Sequence, residues 1–100
     1  MKYEIINDNL PDFSGLAMHV RFEKPITVVE YENDIVGRDF IVSSTNVPFS
    51  GPETYIFPAN EDGTIRSWGE LPGSQRGVLD HETVIEAFIE SVKDGMTVTF

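Results

Sequence analysis

Leu16, Met18, Val20 and Phe22 alternate with Ala17, His19, Arg21 and Glu23. That period of two lays one apolar row along a half-buried strand. Lys24-Pro25 predicts a break after it, because proline cannot donate to a β-ladder. Ile26-Thr27-Val28-Val29-Glu30-Tyr31-Glu32 is β-branched and aromatic, and Asn33-Asp34 suits a turn. Phe40-Ile41-Val42-Ser43-Ser44 reads as the return strand, with Gly37 blurring its start. Tyr3-Glu4-Ile5-Ile6 predicts a short first strand, stopped by the Asn-Asp-Asn-Leu-Pro stretch. Val47-Pro48-Phe49-Ser50-Gly51-Pro52 reads as loop, since two prolines and a glycine within it oppose a regular ladder.

Further on, Thr54-Tyr55-Ile56-Phe57 and Thr64-Ile65-Arg66-Ser67-Trp68 flank Asn60-Glu61-Asp62-Gly63, which predicts a hairpin with Pro58 at a strand end or on an edge. The pattern then changes period. Val84, Ile85, Phe88, Ile89 and Val92 fall on one helical face, and Val78 would extend it were it not for Gly77. Asp80 stands where an N-cap carboxylate belongs, and Lys93-Asp94-Gly95 supplies a cation and a glycine for the stop. Met96-Thr97-Val98-Thr99-Phe100 alternates again as a final strand. The expected fold is α+β: a mainly antiparallel sheet of about five to seven strands with one helix on one face.

Residues 1–100 form one domain by length, and no repeat or linker divides them. The chain has no Cys, so its packing works without disulfides or thiolate metal sites. With 17 Asp or Glu against 7 Lys or Arg, the formal net charge is −10. Direct nucleic-acid binding is disfavoured, because phosphates require clustered cations, and an anionic membrane surface is disfavoured likewise. The apolar runs are far shorter than the roughly 20 residues of a membrane helix. Met1-Lys2-Tyr3-Glu4-Ile5-Ile6-Asn7-Asp8 has no signal-peptide core, so a cytoplasmic setting is expected.

The motifs that carry chemistry are missing. Asn60-Glu61-Asp62-Gly63 lacks the ligand spacing and flanking helices of a calcium loop, so an ordinary turn is the better account. His19 and His81 stand outside any zinc spacing. His19 falls on the polar side of its strand, and His81 lies near the apolar helix face as a half-buried structural residue. Gly73-Ser74-Gln75-Arg76-Gly77 does not meet the nucleophile-elbow spacing and reads as a linker. No Gly-rich phosphate loop opens a helix. The expectation is a non-enzymatic protein without cofactor or metal.

The acids fall into groups. Glu82, Glu86 and Glu90 recur at i, i+4 and i+8 as a stripe away from the apolar helix face. Glu30, Glu32, Asp34 and Asp39 gather near the proposed Asn33-Asp34 turn, and Glu53, Glu61, Asp62 and Glu70 follow the hairpin. Solubility alone explains such a surplus, and so does steering towards a basic partner. Phe49 and Trp68 would serve as interface anchors if exposed, although core packing is the commoner fate of both residue types.

The run Glu53-Thr54-Tyr55-Ile56-Phe57-Pro58, Asn60-Glu61-Asp62-Gly63, Ser67-Trp68-Gly69-Glu70-Leu71 and His81-Glu82-Thr83-Val84-Ile85-Glu86 resembles a group of small acidic proteins of bacteriophages and mobile elements. The likeness covers about a third of the chain, residues 53–88. It departs at Pro72-Gly73-Ser74-Gln75-Arg76-Gly77, where the group has a Tyr-x-Thr-acidic helix start. The resemblance implies a phage or mobile-element context rather than an activity, and no catalytic residues carry over from it. The expected function is a small acidic inhibitor that occupies a basic surface on a host defence or nucleic-acid-handling protein. Glu82, Glu86 and Glu90 would carry that contact, with Glu30, Glu32 and Asp34 second. The alternatives are an immunity protein that neutralises a basic toxin and a structural or accessory virion protein.

Overall fold

The computed structural model describes residues 2–11, 13, 15–30, 33–47, 51–77, 80–92 and 97–99. Five strands form an antiparallel path: β1 (Tyr3–Asn7), β2 (Leu16–Glu30), β3 (Asn33–Val47), β4 (Gly51–Pro58) and β5 (Gln75–Arg76), in the order β1-β2-β3-β4-β5. Helix α1 (His81–Val92) follows, and then a short β6 (Thr97–Thr99). The fold is α+β, and the expected range of five to seven antiparallel strands narrows to five. β6 departs from the antiparallel expectation, because it runs parallel to β2, with Thr27 opposite Thr97 and Val29 opposite Thr99. A helix separates it from the sheet path, and a strand returning after a helical crossover can enter a sheet in the parallel sense. β1 borders the first half of β2 and β6 its second half.

β2 and β3 are the long members, at 15 residues each. The break expected at Lys24-Pro25 does not end β2. The ladder shifts register instead, from Arg21 opposite Asp39 to Ile26 opposite Gly37. Four residues on β2 thus face one on β3, and the missing proline donor falls in the bulge, where no ladder bond is required. The three-residue excess is odd, so one strand must exchange its faces. On β2, Val20, Phe22, Ile26 and Val28 all stay with the helix-side core. On β3, the inward set passes from Phe40 and Val42 to Ile35.

Other boundaries move too. Asn33 and Asp34 are the first rungs of β3, paired with Glu30 and Val29, and are not a turn; residues 31–32 lie outside the described residues. The expected Pro-rich loop contracts, because Val47 pairs with Gly51 and Asn46 with Pro52, while residues 48–50, including Phe49, lie outside the description. Of the return strand expected at Thr64–Trp68, a single bridge survives between Ala59 and Ile65. Its place beside β4 is taken by β5, drawn from the Gly73–Gly77 segment expected to be a linker. Glu53 pairs with Arg76 and Thr54 with Gln75. Gly77 donates to Pro52 O, and the Ser74 hydroxyl accepts from Ile56 N–H. Gly73 (φ +98°) and Gly77 (φ +84°) bend the segment there through conformations that other residues rarely adopt.

The helix forms as its pattern demands. Asp80 caps it, accepting from Glu82 N–H at 3.1 Å and from the Thr83 hydroxyl at 2.6 Å. Val84, Ile85, Phe88 and Val92 are buried against the sheet, each side chain contributing about 1.5–3 kcal/mol of transfer free energy. Phe88 meets Phe22 and Phe40 with ring centroids 5.7 and 5.1 Å apart. Gly73 lets the chain pass this close, since a Cβ there would stand 2.8 Å from the backbone nitrogen of Phe88. The expected stop at Lys93-Asp94-Gly95 lies outside the described residues, as does Val78.

Candidate interaction surface

The sheet face away from the helix carries a second, smaller core and a charged network. Ala17, Ile41 and Ala59 form a small buried cluster there, covered by Leu10, Phe13 and Ile65. Alternation along β2 and β3 sends His19, Arg21 and Asp39 to the same face. His19 Nε2 donates to Asp39 Oδ1 at 2.7 Å, and Arg21 Nε donates to the same oxygen at 2.8 Å. Arg21 also donates to Glu61 O at 3.1 Å, tying the Asn60–Gly63 turn to the sheet. His19 is 2% exposed. Its strand side is therefore polar, as expected, yet buried under a second cover. The other ring nitrogen faces Gly63, where a Cβ would stand 3.2 Å away.

The turn that covers it is built as the sequence suggests. Gly63 N–H donates to Asn60 O, and Asp62 accepts from both the Thr64 amide and hydroxyl. Those bonds, the hydroxyl one first, hold the Asp62 carboxyl below its ordinary pKa. No set of three or more acidic or imidazole groups among the described residues is placed to hold a metal ion. Beside the turn and the β2 bulge lies an open hollow of about 390 Å³, lined by Pro25, Val36, Arg38, Asp39, Glu61 and Arg66 among others. Arg66 reaches across it to donate to Val36 O.

Along β4 the same face presents aromatic rings. Tyr55 and Phe57 have centroids 6.0 Å apart, Phe57 meets Trp68 edge-on at 5.5 Å, and Trp68 meets Phe13 at 6.1 Å. Trp68, the only tryptophan in the chain, is 69% exposed. The Tyr55 hydroxyl donates to Glu53, which raises the phenol pKa; partial burial and the charges of Glu53 and Glu70 add to the rise, and Arg76 opposes it.

The predicted acidic groups fare differently. Glu82, Glu86 and Glu90 are all exposed on the outer face of α1, whose 12 residues include no Lys or Arg. Glu30 and Asp34 occupy neighbouring rungs at the far end of the β2–β3 ladder, and Glu32 lies outside the described residues. Asp39 leaves the group proposed for it, because His19 and Arg21 bury it at 6% exposure. Glu53 likewise leaves the hairpin rim: it is 6% exposed, bound by Tyr55 and 3.8 Å from Arg76. Glu61, Asp62 and Glu70 remain exposed. His81 is buried on the helix face as a structural residue, its Nε2 3.3 Å from Leu16 O. Burial holds its imidazole below the ordinary pKa, against the pull of Leu16 O and Asp80.

The sequence reading missed the His19–Asp39–Arg21 network. Its only sequence signal was a basic and an imidazole residue two apart on one strand face, with an acid opposite. Compared with protein-family models, curated proteins and solved structures, the chain has no significant match. No helix among the described residues is long and apolar enough to cross a membrane.

Proposed function

We propose that this is a small non-enzymatic binding protein that uses an anionic surface to occupy a basic surface on another protein. The observation that supports the reading is the helix stripe: Glu82, Glu86 and Glu90 all face solvent on a helix without one cation. Like charges at that spacing repel by a few tenths of a kcal/mol per pair, so the stripe is a cost to the helix by itself. A partner's cations would relieve that repulsion and steer association. In the phage setting that the sequence resemblance suggests, the target is a host defence or nucleic-acid-handling protein, and the stripe competes with the phosphate backbone for its groove. Glu30, Glu32 and Asp34 would form a second contact.

The test is capture from bacterial lysate with the wild-type chain and with E82K/E86K/E90K, each at low and high salt. The expected result is a basic protein retained by the wild type at low salt, released at high salt and lost with the reversed stripe. Recovery of no protein sensitive to the reversal would sink the reading.

A further inference from the structure

Trp68 is displayed rather than left over. Arg66 N–H donates to Pro58 O at 3.0 Å, and Leu71 N–H donates to Ile56 O at 2.8 Å, so the segment is pinned to β4 on both sides of the indole. Leu71 is 2% exposed and anchors the far side in the core. Between these anchors Gly69 N–H donates to the Ser67 hydroxyl, which fixes the local bend. The ring meets Phe57 in a T-shaped contact and Phe13 at a tilt, and it leaves most of its surface in water. A tryptophan side chain offers roughly 150–250 Å² for burial, and on a pinned segment little conformational entropy remains to be lost on binding.

The charges around the ridge are unbalanced. Glu53 and Glu70 lie near its Tyr55 end. Against these two acids stands Arg76, 3.8 Å from Glu53. One acid is left in excess, and Glu70 is exposed. An exposed indole beside a free carboxylate is complementary to a cation, and a guanidinium stacks on indole better than an ammonium does.

We propose that the Tyr55–Phe57–Trp68–Phe13 ridge docks an extended, arginine-bearing segment of a partner protein, with one guanidinium stacked on Trp68 and Glu70 as its carboxylate neighbour. The inference rests on the reading of this protein as a binder of basic surfaces, and it moves the anchor to the side of the sheet opposite the helix stripe. Calorimetric titration with hexa-arginine and hexa-lysine tests it on four proteins: wild type, W68A, W68F and E82Q/E86Q/E90Q. The wild type should bind hexa-arginine several-fold more tightly than hexa-lysine. W68A should lose about 2–30-fold of the hexa-arginine affinity, and W68F, which keeps a ring against Phe57, should lose less. The helix triple variant should weaken both peptides alike and keep their ratio. Equal affinity for the two peptides, or an unchanged affinity in W68A, overturns the ridge. If W68A is silent while the triple variant binds weakly, the ridge fails and the stripe stands; if hexa-arginine binds none of the proteins, both fall.

Discussion

The two faces of the sheet solve opposite problems. Under the helix, twelve buried apolar residues from β2, β3, β4, the 71 region and α1 make one continuous core. On the other side, among the described residues, three small or aliphatic residues are buried together, beside a histidine, an arginine, an aspartate and a row of aromatic rings that runs from the buried Phe57 to the exposed Trp68. One face is closed by a regular element that the chain builds for the purpose. The other is closed by a turn and short loop segments held through backbone and side-chain hydrogen bonds. Stability and exposed surface are thereby separated: the helix side shows solvent little besides its outer stripe, whereas the loop-covered face keeps aromatic surface in water.

Substitutions should divide along that line. Phe88→Ala empties the middle of the helix-side core and should cost about 3–5 kcal/mol in urea unfolding, the largest single effect expected. On the opposite face, Asp39→Ala leaves His19 and Arg21 without their shared acceptor and should cost about 1.5–3 kcal/mol. Asp39→Asn, which keeps one acceptor oxygen, should cost less. If Asp39→Ala proved as damaging as Phe88→Ala, the division of labour between the faces would be wrong.

The pH dependence gives a smaller contrast. The His81 pKa is lowered in the folded chain, so the folded state favours the neutral ring. Its contribution is complete above the unfolded value of about 6.5 and is lost as pH falls through the folded value below it. The thermal midpoint of the wild type should therefore fall from pH 7 towards pH 5 more steeply than that of His81→Asn. The smallest expected effect lies on the helix surface. Glu86→Gln removes the repulsions with Glu82 and Glu90 and should stabilise by about 0.2–0.5 kcal/mol per pair removed, read as a small rise in the urea midpoint.

The helix was legible because all its information is local: Val84, Ile85, Phe88 and Val92 repeat on one face and Asp80 stands at the cap. The strand through Leu16–Phe22 was legible for the same reason, an unbroken alternation. Pro25 misled because a bulge depends on the partner strand, and no local pattern says that Ile26 will pair with Gly37. Thr64–Trp68 has β-rich composition, but its hydrogen bonds go to Pro58 and the turn and not to a ladder, so composition overstated it. Gly73–Gly77 looked like a linker because glycines at positive φ are as typical of tight, fixed bends as of loose chain. Of the predicted interaction residues, the helix stripe was readable as a surface from its period. Asp39 and Glu53 were misplaced, since acids on a strand show their burial only when their partners across the sheet are known.

The parallel pairing of β6 with β2 joins Thr27 to Thr97, positions seventy apart in the chain, whereas the β2–β3 ladder closes over Glu30 and Asn33. Loop-closure entropy grows slowly with separation, but a distant contact is rewarded only after the intervening elements are in place. The long hairpin can form from neighbours, and α1 can settle on it through Phe88. β6 gains its contact with β2 only by closing the larger of these two separations. A strand of three residues held at that edge is the natural first place for native-state hydrogen exchange, with the middle of the β2–β3 ladder exchanging last.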